Sequence, residues 1–207
     1  TKNPLPTAEE VEKKLVQKLR EMKQEGIVPD VLTFAGNGEP TLHPDFPHIV
    51  ERVIKIRNCE CPNAKLSILS NATQIHRKEV REALQLFDNN IQKLDTVNPI
   101  YIYKVDRPQG NYDVEKQIEL LCNFNGKVII QTMFMKGEFE GESVDNTTPE
   151  YVLPYLEALK KIAPQKVMIY TTDRETPAQG LQKASVETLD AIAEQIRQLG
   201  FECSVSY

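Results

Sequence analysis

Apolar residues recur along this 207-residue chain in two alternating registers, and that alternation constrains the fold more than any single motif does. Thr7 and Glu10 form a Thr-x-x-Glu capping box, after which Val11, Leu15, Leu19 and Met22 repeat at helical spacing until Gly26. A strand is expected at 30–35. A second helix is expected from Asp45 as N-cap to about Arg57, burying Phe46, Ile49, Val50, Val53 and Ile56. Next come a strand at 66–69 ending at Ser70-Asn71, a basic helix at 78–87 with Val80, Ala83, Leu84 and Phe87 on one face, and a weaker strand-like segment at 91–97. Helix 114–122 leads into 128–135, the strongest strand signal. The stretch 136–147 reads as a long, acidic, glycine-containing loop before a helix capped by Thr148 with Pro149 at its first position. A strand at 166–170, a helix at 185–199 closed by Gly200, and a strand-like 201–206 complete the pattern. Strands separated by helices pair in parallel through right-handed crossovers, which predicts an α/β sheet or part of a β/α barrel.

A chain that is 40% hydrophobic and 27% charged fits one ordinary domain, read as 1–207. No apolar run approaches the roughly 20 residues that span a membrane, and Thr1-Lys2-Asn3-Pro4 lacks a signal peptide's apolar stretch, so a cytoplasmic protein without a membrane partner is expected. Cys59, Cys61, Cys122 and Cys203 are too few and too irregularly placed for a disulfide scaffold, and reduced thiols are the default. The net charge of -5 argues against this chain as a main nucleic-acid surface, because polyanion binding rests on Lys and Arg.

The segment 31–42, Val-Leu-Thr-Phe-Ala-Gly-Asn-Gly-Glu-Pro-Thr-Leu, carries the sharpest chemical signal. It reads as a buried strand ending in a ligand-binding turn. Gly36 and Gly38 lack Cβ and can take φ > 0, letting backbone carbonyls approach a ligand, while Glu39 adds negative charge at the strand mouth. That combination suits a cation such as an amino acid's ammonium; the plainer reading is a tight strand-to-loop turn with Glu39 solvated.

The same residues, Gly36-Asn37-Gly38-Glu39-Pro40-Thr41-Leu42, resemble the Gly-Gly-Glu motif of radical S-adenosylmethionine (SAM) enzymes, in the extended form of a branch of iron-sulfur oxidoreductases similar to the tRNA wyosine-base synthase. The resemblance implies a (β/α)6 TIM-like barrel, here partial and missing its first strand, since the chain opens on a helix. It implies that Gly36, Asn37, Gly38 and Glu39 hold the amino group of SAM. It also implies a 4Fe-4S cluster held by a Cys-x-x-x-Cys-x-x-Cys loop after that first strand. None of the four cysteines matches that loop, and Cys59 and Cys61 are one residue apart and followed by Pro62, so the cluster ligands are expected outside this chain, which by itself should be inactive. By resemblance, SAM and the cluster generate a 5′-deoxyadenosyl radical for hydrogen abstraction, and the cluster needs an electron donor. The substrate class stays open among small molecule, peptide and protein, with tRNA disfavoured by the acidic charge. Rival readings are a degenerate barrel acting as a noncatalytic binding or scaffold module, and a β/α enzyme using a phosphate or metal at the same face.

Ligands of parallel α/β folds sit at the carboxyl ends of the strands, so polar residues just past each strand are the remaining candidates. Ser70 and Asn71 match the Thr/Ser-Asn-Gly segment of this branch, with Ala72 in place of glycine, and read either as SAM contacts or as an Asx-turn. Arg107-Pro108 resembles an Arg-Pro pair of a substrate-side loop; Arg107 faces either an anion, such as the SAM carboxylate or a substrate, or solvent. Lys136-Gly137 resembles the family's Lys-Gly, and Thr171, Thr172, Asp173 and Arg174, with Pro177 nearby, resemble a polar proline-containing loop. His43, Asp45 and His48 superficially resemble a metal site, but Asp45 is read as a helix cap. His76, Arg77, Lys78 and Arg81 gather at a helix start, the wrong end for its dipole, and read as solvated or as facing a partner.

Overall fold

The computed structural model describes residues 5–36, 38–108, 110–172 and 180–207. Contacts divide the chain into two units, Thr1–Ile91 and Gln92–Tyr207. The class is α/β with mostly parallel strand pairing.

In the first unit, helix α1 (Ala8–Gln24) starts at the expected capping box: the Thr7 hydroxyl accepts from Glu10 N at 3.2 Å and the Glu10 carboxylate accepts from Thr7 N at 2.7 Å. Strand β1 (Val31–Phe34) pairs in parallel with β2 (Lys65–Ser70), register Val31↔Lys65 through Phe34↔Ile68. The crossover is α2 (Phe46–Glu60), whose buried face is Phe46, Ile49, Val50, Val53 and Ile56, as the helical period predicts. α3 (Lys78–Leu84) buries Val80, Ala83 and Leu84, and Phe87 is buried in the turn beyond. Three rings tie these elements together. Phe34 meets Phe87 edge-on at 5.2 Å and Phe46 at 6.2 Å, while Phe46 and Phe87 lie parallel at 6.4 Å.

Asp45 stands at the N-cap of α2 but its side chain makes no capping bond. Its amide instead donates to His43 Nδ1 at 3.1 Å, and Pro47 in the first turn brings no N–H to be capped. The helix at 78–87 ends three residues early, because Phe87 reaches the core from a turn in which its amide donates to Leu84 O.

Strand β3 (Asn89–Lys93) begins in the first unit and ends in the second. A helical turn α4 (Pro99–Tyr101) runs directly into a π-helical turn, Ile102–Asp106, followed by α5 (Val114–Cys122). Neither turn was expected from the sequence, since three to five residues carry too little periodicity. Then come β4 (Ile129–Met133), β5 (Met135–Phe139), β6 (Glu142–Ser143), α6 (Pro149–Ile162), β7 (Lys166–Tyr170), β8 (Leu181–Lys183), α7 (Val186–Gln198) and β9 (Cys203–Ser206). β7 pairs in parallel with both β4 and β9. Beneath it, the Tyr155 hydroxyl shares a 2.7 Å hydrogen bond with Thr132 Oγ1, which donates to Leu94 O at 2.8 Å.

Two expectations fail at 128–147. The apolar run is not one strand: the parallel ladder stops at Met133, and β5, one residue on, pairs antiparallel with β6 and β8. The acidic stretch after it is a hairpin rather than a loop. Phe139 faces Glu142, and the two residues between, Glu140 (φ 53°) and Gly141 (φ 79°), both lie in the left-handed region that a type I′ turn demands. Alternation of charged and apolar residues there is too short to outweigh the glycines in a sequence reading.

No helix among the described residues is long and apolar enough to cross a membrane. β5 and β8 cross so closely at Gly137 (φ +109°) that a Cβ there would lie 2.0 Å from Gly180 O. Gly137→Ala should therefore destabilise the protein by about 2 kcal/mol or more, through left-handed strain plus a backbone clash. Urea denaturation checks this, and an unchanged midpoint would mean that the crossing is not rigid.

Candidate functional site

The loop after β1 is organised by one carboxylate. Glu39 is half-buried; its Oε1 accepts from Thr41 N at 3.0 Å and from Thr41 Oγ1 at 2.5 Å, and its Oε2 accepts from Asn71 N at 2.6 Å. The side chain thus caps the 3-10 turn Pro40–Leu42 and clamps it to the loop following β2. A carboxylate has about four acceptor positions, so the three donors found among the described residues leave one.

Gly36 and Gly38 do not use their freedom as expected, since neither lies in the left-handed region. What they supply is space: a Cβ at either would meet nothing within 4 Å. Bare backbone beside a fixed carboxylate is what an ammonium group requires, so these residues fit the methionine end of SAM. Asn37 lies outside the described residues.

Across the clamp, Ser70 is buried with Oγ accepting from Ala72 N at 3.0 Å, and Asn71 Oδ1 accepts from Thr73 N and Oγ1 at 3.0 and 2.7 Å. The Asx-turn reading is therefore realised, leaving the Asn71 amide NH2 as its remaining donor. Ala72 has φ 62°, the conformation that explains a glycine in the resembling segment.

The other first-unit candidates have structural partners. His43 Nε2 lies 2.9 Å from Pro6 O and His48 Nε2 accepts from Arg52 at 3.0 Å. Arg81 donates to Ile75 O and His76 O at 2.6 and 2.9 Å, and Arg77 pairs with Glu79 at 2.8 Å. Cys59 is exposed and Cys61 buried, with burial raising the Cys61 thiol pKa. Among the described residues, which include all four cysteines, no group of three or more His, Cys, Asp or Glu is placed to hold a metal. The chain's own thiols do not fit a 4Fe-4S cluster.

In the second unit, a polar cluster unforeseen from the sequence lies at the end of β3 and just beyond it. Lys93 Nζ sits 2.9 Å from Asp95 Oδ2, and Asp95 Oδ1 accepts from Met133 N at 2.8 Å, with only 5% of the Asp95 side chain exposed. Burial pushes the Asp95 pKa up, opposed by Lys93. For Lys93 burial works against the charge, but Asp95 and then Tyr170 outweigh it and hold its pKa above the ordinary range. Asp106, at the end of the π-helical turn, is raised to about 6 by burial and then by Asp95, against Lys93. Burial also raises Tyr101, Tyr112 and Tyr170, with the two aspartates adding to each. The Lys-x-Asp spacing inside the 91–97 segment is the available signal, but charged residues in a weak strand-like segment are usually solvated.

Of the remaining candidates, Arg107 donates to Glu140 at 3.1 Å, and Lys136 Nζ lies 3.4 Å from Thr188 Oγ1. Thr172 is half-buried, while Thr171 is buried and accepts from Ala184 N at 2.9 Å. Asp173, Arg174 and Pro177 lie outside the described residues.

The match to known proteins agrees with the loop after β1. The model of the radical SAM superfamily matches residues 3–147, so the chain belongs to that superfamily. A UPF0026 protein of Synechocystis sp. is 32% identical over 155 residues, covering 72% of this chain and 53% of that protein. The chain thus spans about half the length of this curated relative. Among solved structures, a radical SAM methyltransferase from Sphaerobacter thermophilus aligns with TM-score 0.70 at 18% identity, over 98% of this chain and 58% of that one. Streptococcus suis SuiB bound to S-adenosylmethionine aligns with TM-score 0.65 at 16% identity, over 100% of this chain and 44% of that one. At these identities the two structures speak for the fold.

Asp106 gives a pH-dependent test. With its folded pKa raised from 3.8 to about 6, the folded state holds a proton that the unfolded chain has released, so stability falls as pH rises through that window and stays lower above it. Asp106→Asn removes this loss, and the variant should gain on the wild type between pH 4.5 and pH 7.5. Urea midpoints at the two pH values check it; an equal difference at both would show that Asp106 titrates normally.

Proposed function

We propose that this chain is the SAM-binding core of a radical SAM oxidoreductase, with the loop after β1 as the site for the methionine part of SAM. The observation that carries this is the open backbone at Gly36 and Gly38 beside the anchored Glu39, within a segment matched by the superfamily model. Glu39 and the neighbouring backbone accept from the ammonium, and Asn37 belongs to the same loop. Ser70 and Asn71 shape its far wall, and the Asn71 amide donates to a ribose or carboxylate oxygen. Arg107, Lys136, Thr172 and Arg174 are proposed as further ligand contacts of the second unit. When bound, SAM and a reduced 4Fe-4S cluster supply the 5′-deoxyadenosyl radical that abstracts hydrogen from substrate. The cluster ligands belong to sequence outside this chain, and the protein works in the cytoplasm with an electron donor.

The clamp sets what Glu39 does for chemistry. By fixing the turn Pro40–Leu42 to the loop after β2, it holds the binding surface in place before the ligand arrives, so less ordering accompanies binding.

The deciding experiment uses the longest open reading frame containing this chain, purified anaerobically with iron and sulfide, reduced and given SAM. Formation of 5′-deoxyadenosine and methionine supports the reading; a loaded cluster with no cleavage overturns it, and absence of bound iron favours a binding module. In that protein Glu39→Gln places an amide NH2 against backbone donors and should cost about 1–3 kcal/mol of stability. It should also weaken SAM binding about tenfold. Calorimetry reads both effects, and unchanged SAM affinity in the folded, cluster-loaded variant would remove Glu39 from the site.

A further inference from the structure

Glu39 uses its two oxygens unequally. Oε1 accepts from Thr41 N at 3.0 Å and from Thr41 Oγ1 at 2.5 Å, both bonds partly buried. Oε2 accepts from Asn71 N at 2.6 Å, at the exposed side of the clamp. Each carboxylate oxygen has about two acceptor positions. Among the described residues, therefore, Thr41 fills Oε1, and the open position belongs to Oε2.

Thr41 does not act on a ligand directly. It is fully buried, at 0% exposure, and a hydroxyl has one proton to donate, which here goes to Glu39. A length of 2.5 Å is that of a hydroxyl-to-carboxylate bond, which is stronger than one between neutral groups. What this bond controls is orientation. The last torsion of a glutamate side chain has no sharp staggered wells, so the plane of the carboxylate is set by whatever binds it. Two donors from one buried residue fix Oε1 on the inner side, leaving Oε2 for the side where Gly36, Gly38 and Asn71 are exposed.

We propose that Thr41 is a positioning residue of the SAM site: its buried hydroxyl holds Oε1 of Glu39 and thereby assigns Oε2 to the ligand's ammonium. This role rests on the SAM reading of Glu39. Its test is calorimetric, on the cluster-loaded protein encoded by the longest open reading frame that contains this chain. The ligands are SAM and the SAM analogue whose amino group is replaced by hydrogen, and the wild type should prefer SAM. Thr41→Val exchanges the hydroxyl for a methyl group and keeps the branched shape. It should lose about fivefold in SAM affinity but less than about twofold for the analogue. Thr41→Ser keeps the hydroxyl and should keep the preference for SAM. A Thr41 that served only the fold would lower both affinities alike, so an unchanged preference in Thr41→Val overturns the proposal while leaving Glu39 in the site. A wild type that binds the two ligands equally, or binds neither, overturns the SAM reading of Glu39 and this role with it. Bound iron and the urea midpoint report whether each variant is intact. Should Thr41→Val not load its cluster, Thr41→Ala removes the same hydroxyl and carries the test with the same expected loss of preference.

Discussion

The second unit depends on how the backbone is satisfied where β4 leaves the parallel ladder. Phe134 N still donates to Tyr170 O at the end of β7, at 2.8 Å, but the amides on either side of it need partners from elsewhere. Met133 N donates to the Asp95 carboxylate and Met135 N to Asn146 Oδ1, at 2.8 and 2.9 Å. The buried Asn146 returns its NH2 to Met133 O at 2.8 Å and Asp95 O at 3.2 Å. Unpaired, each of these groups would cost about 1–3 kcal/mol, so Asp95 and Asn146 stabilise the passage from the parallel ladder to the β5–β6 hairpin. Burying Asp95 is itself unfavourable, and Lys93 offsets it at 2.9 Å.

The first unit uses the same device on a smaller scale. Glu39 binds the amides of Thr41 and Asn71 and thereby holds two strand-end loops together. In both units a carboxylate past a strand serves the backbone first, Glu39 beside the open backbone of Gly36 and Gly38 and Asp95 beside Met133.

Much of this was legible in the residue order. The capping box at Thr7 and Glu10, the buried face of α2, and the limits of α5 and β7 follow from local periodicity and capping, which act over four residues or fewer. The motif around Gly36 and Glu39 named the family because its residue types and spacing are jointly rare. The candidate site was less legible. Glycine freedom was read as dihedral freedom, whereas the structure uses it as space. Asp45 stands at the N-cap of α2 as read, but its side chain makes no capping bond. Lys93, Asp95 and Asp106 give no such signal, because a charged residue at a strand end or in a short turn says nothing of what will bury it.

The chain's order of residues, by itself, determined the α/β class, the faces its helices bury and membership in the radical SAM superfamily, all of which rest on short-range periodicity or on a contiguous motif. Only the tertiary structure decided which charges meet. Glu39 reaches an amide 32 residues away and Asp95 one 38 residues away, and Arg107 meets Glu140 across 33. Those pairings depend on where the crossovers return the chain, and no local pattern encodes that distance. The break after Met133 belongs to the same category, since an apolar run reads identically whether the residues after Met133 continue one ladder or join another.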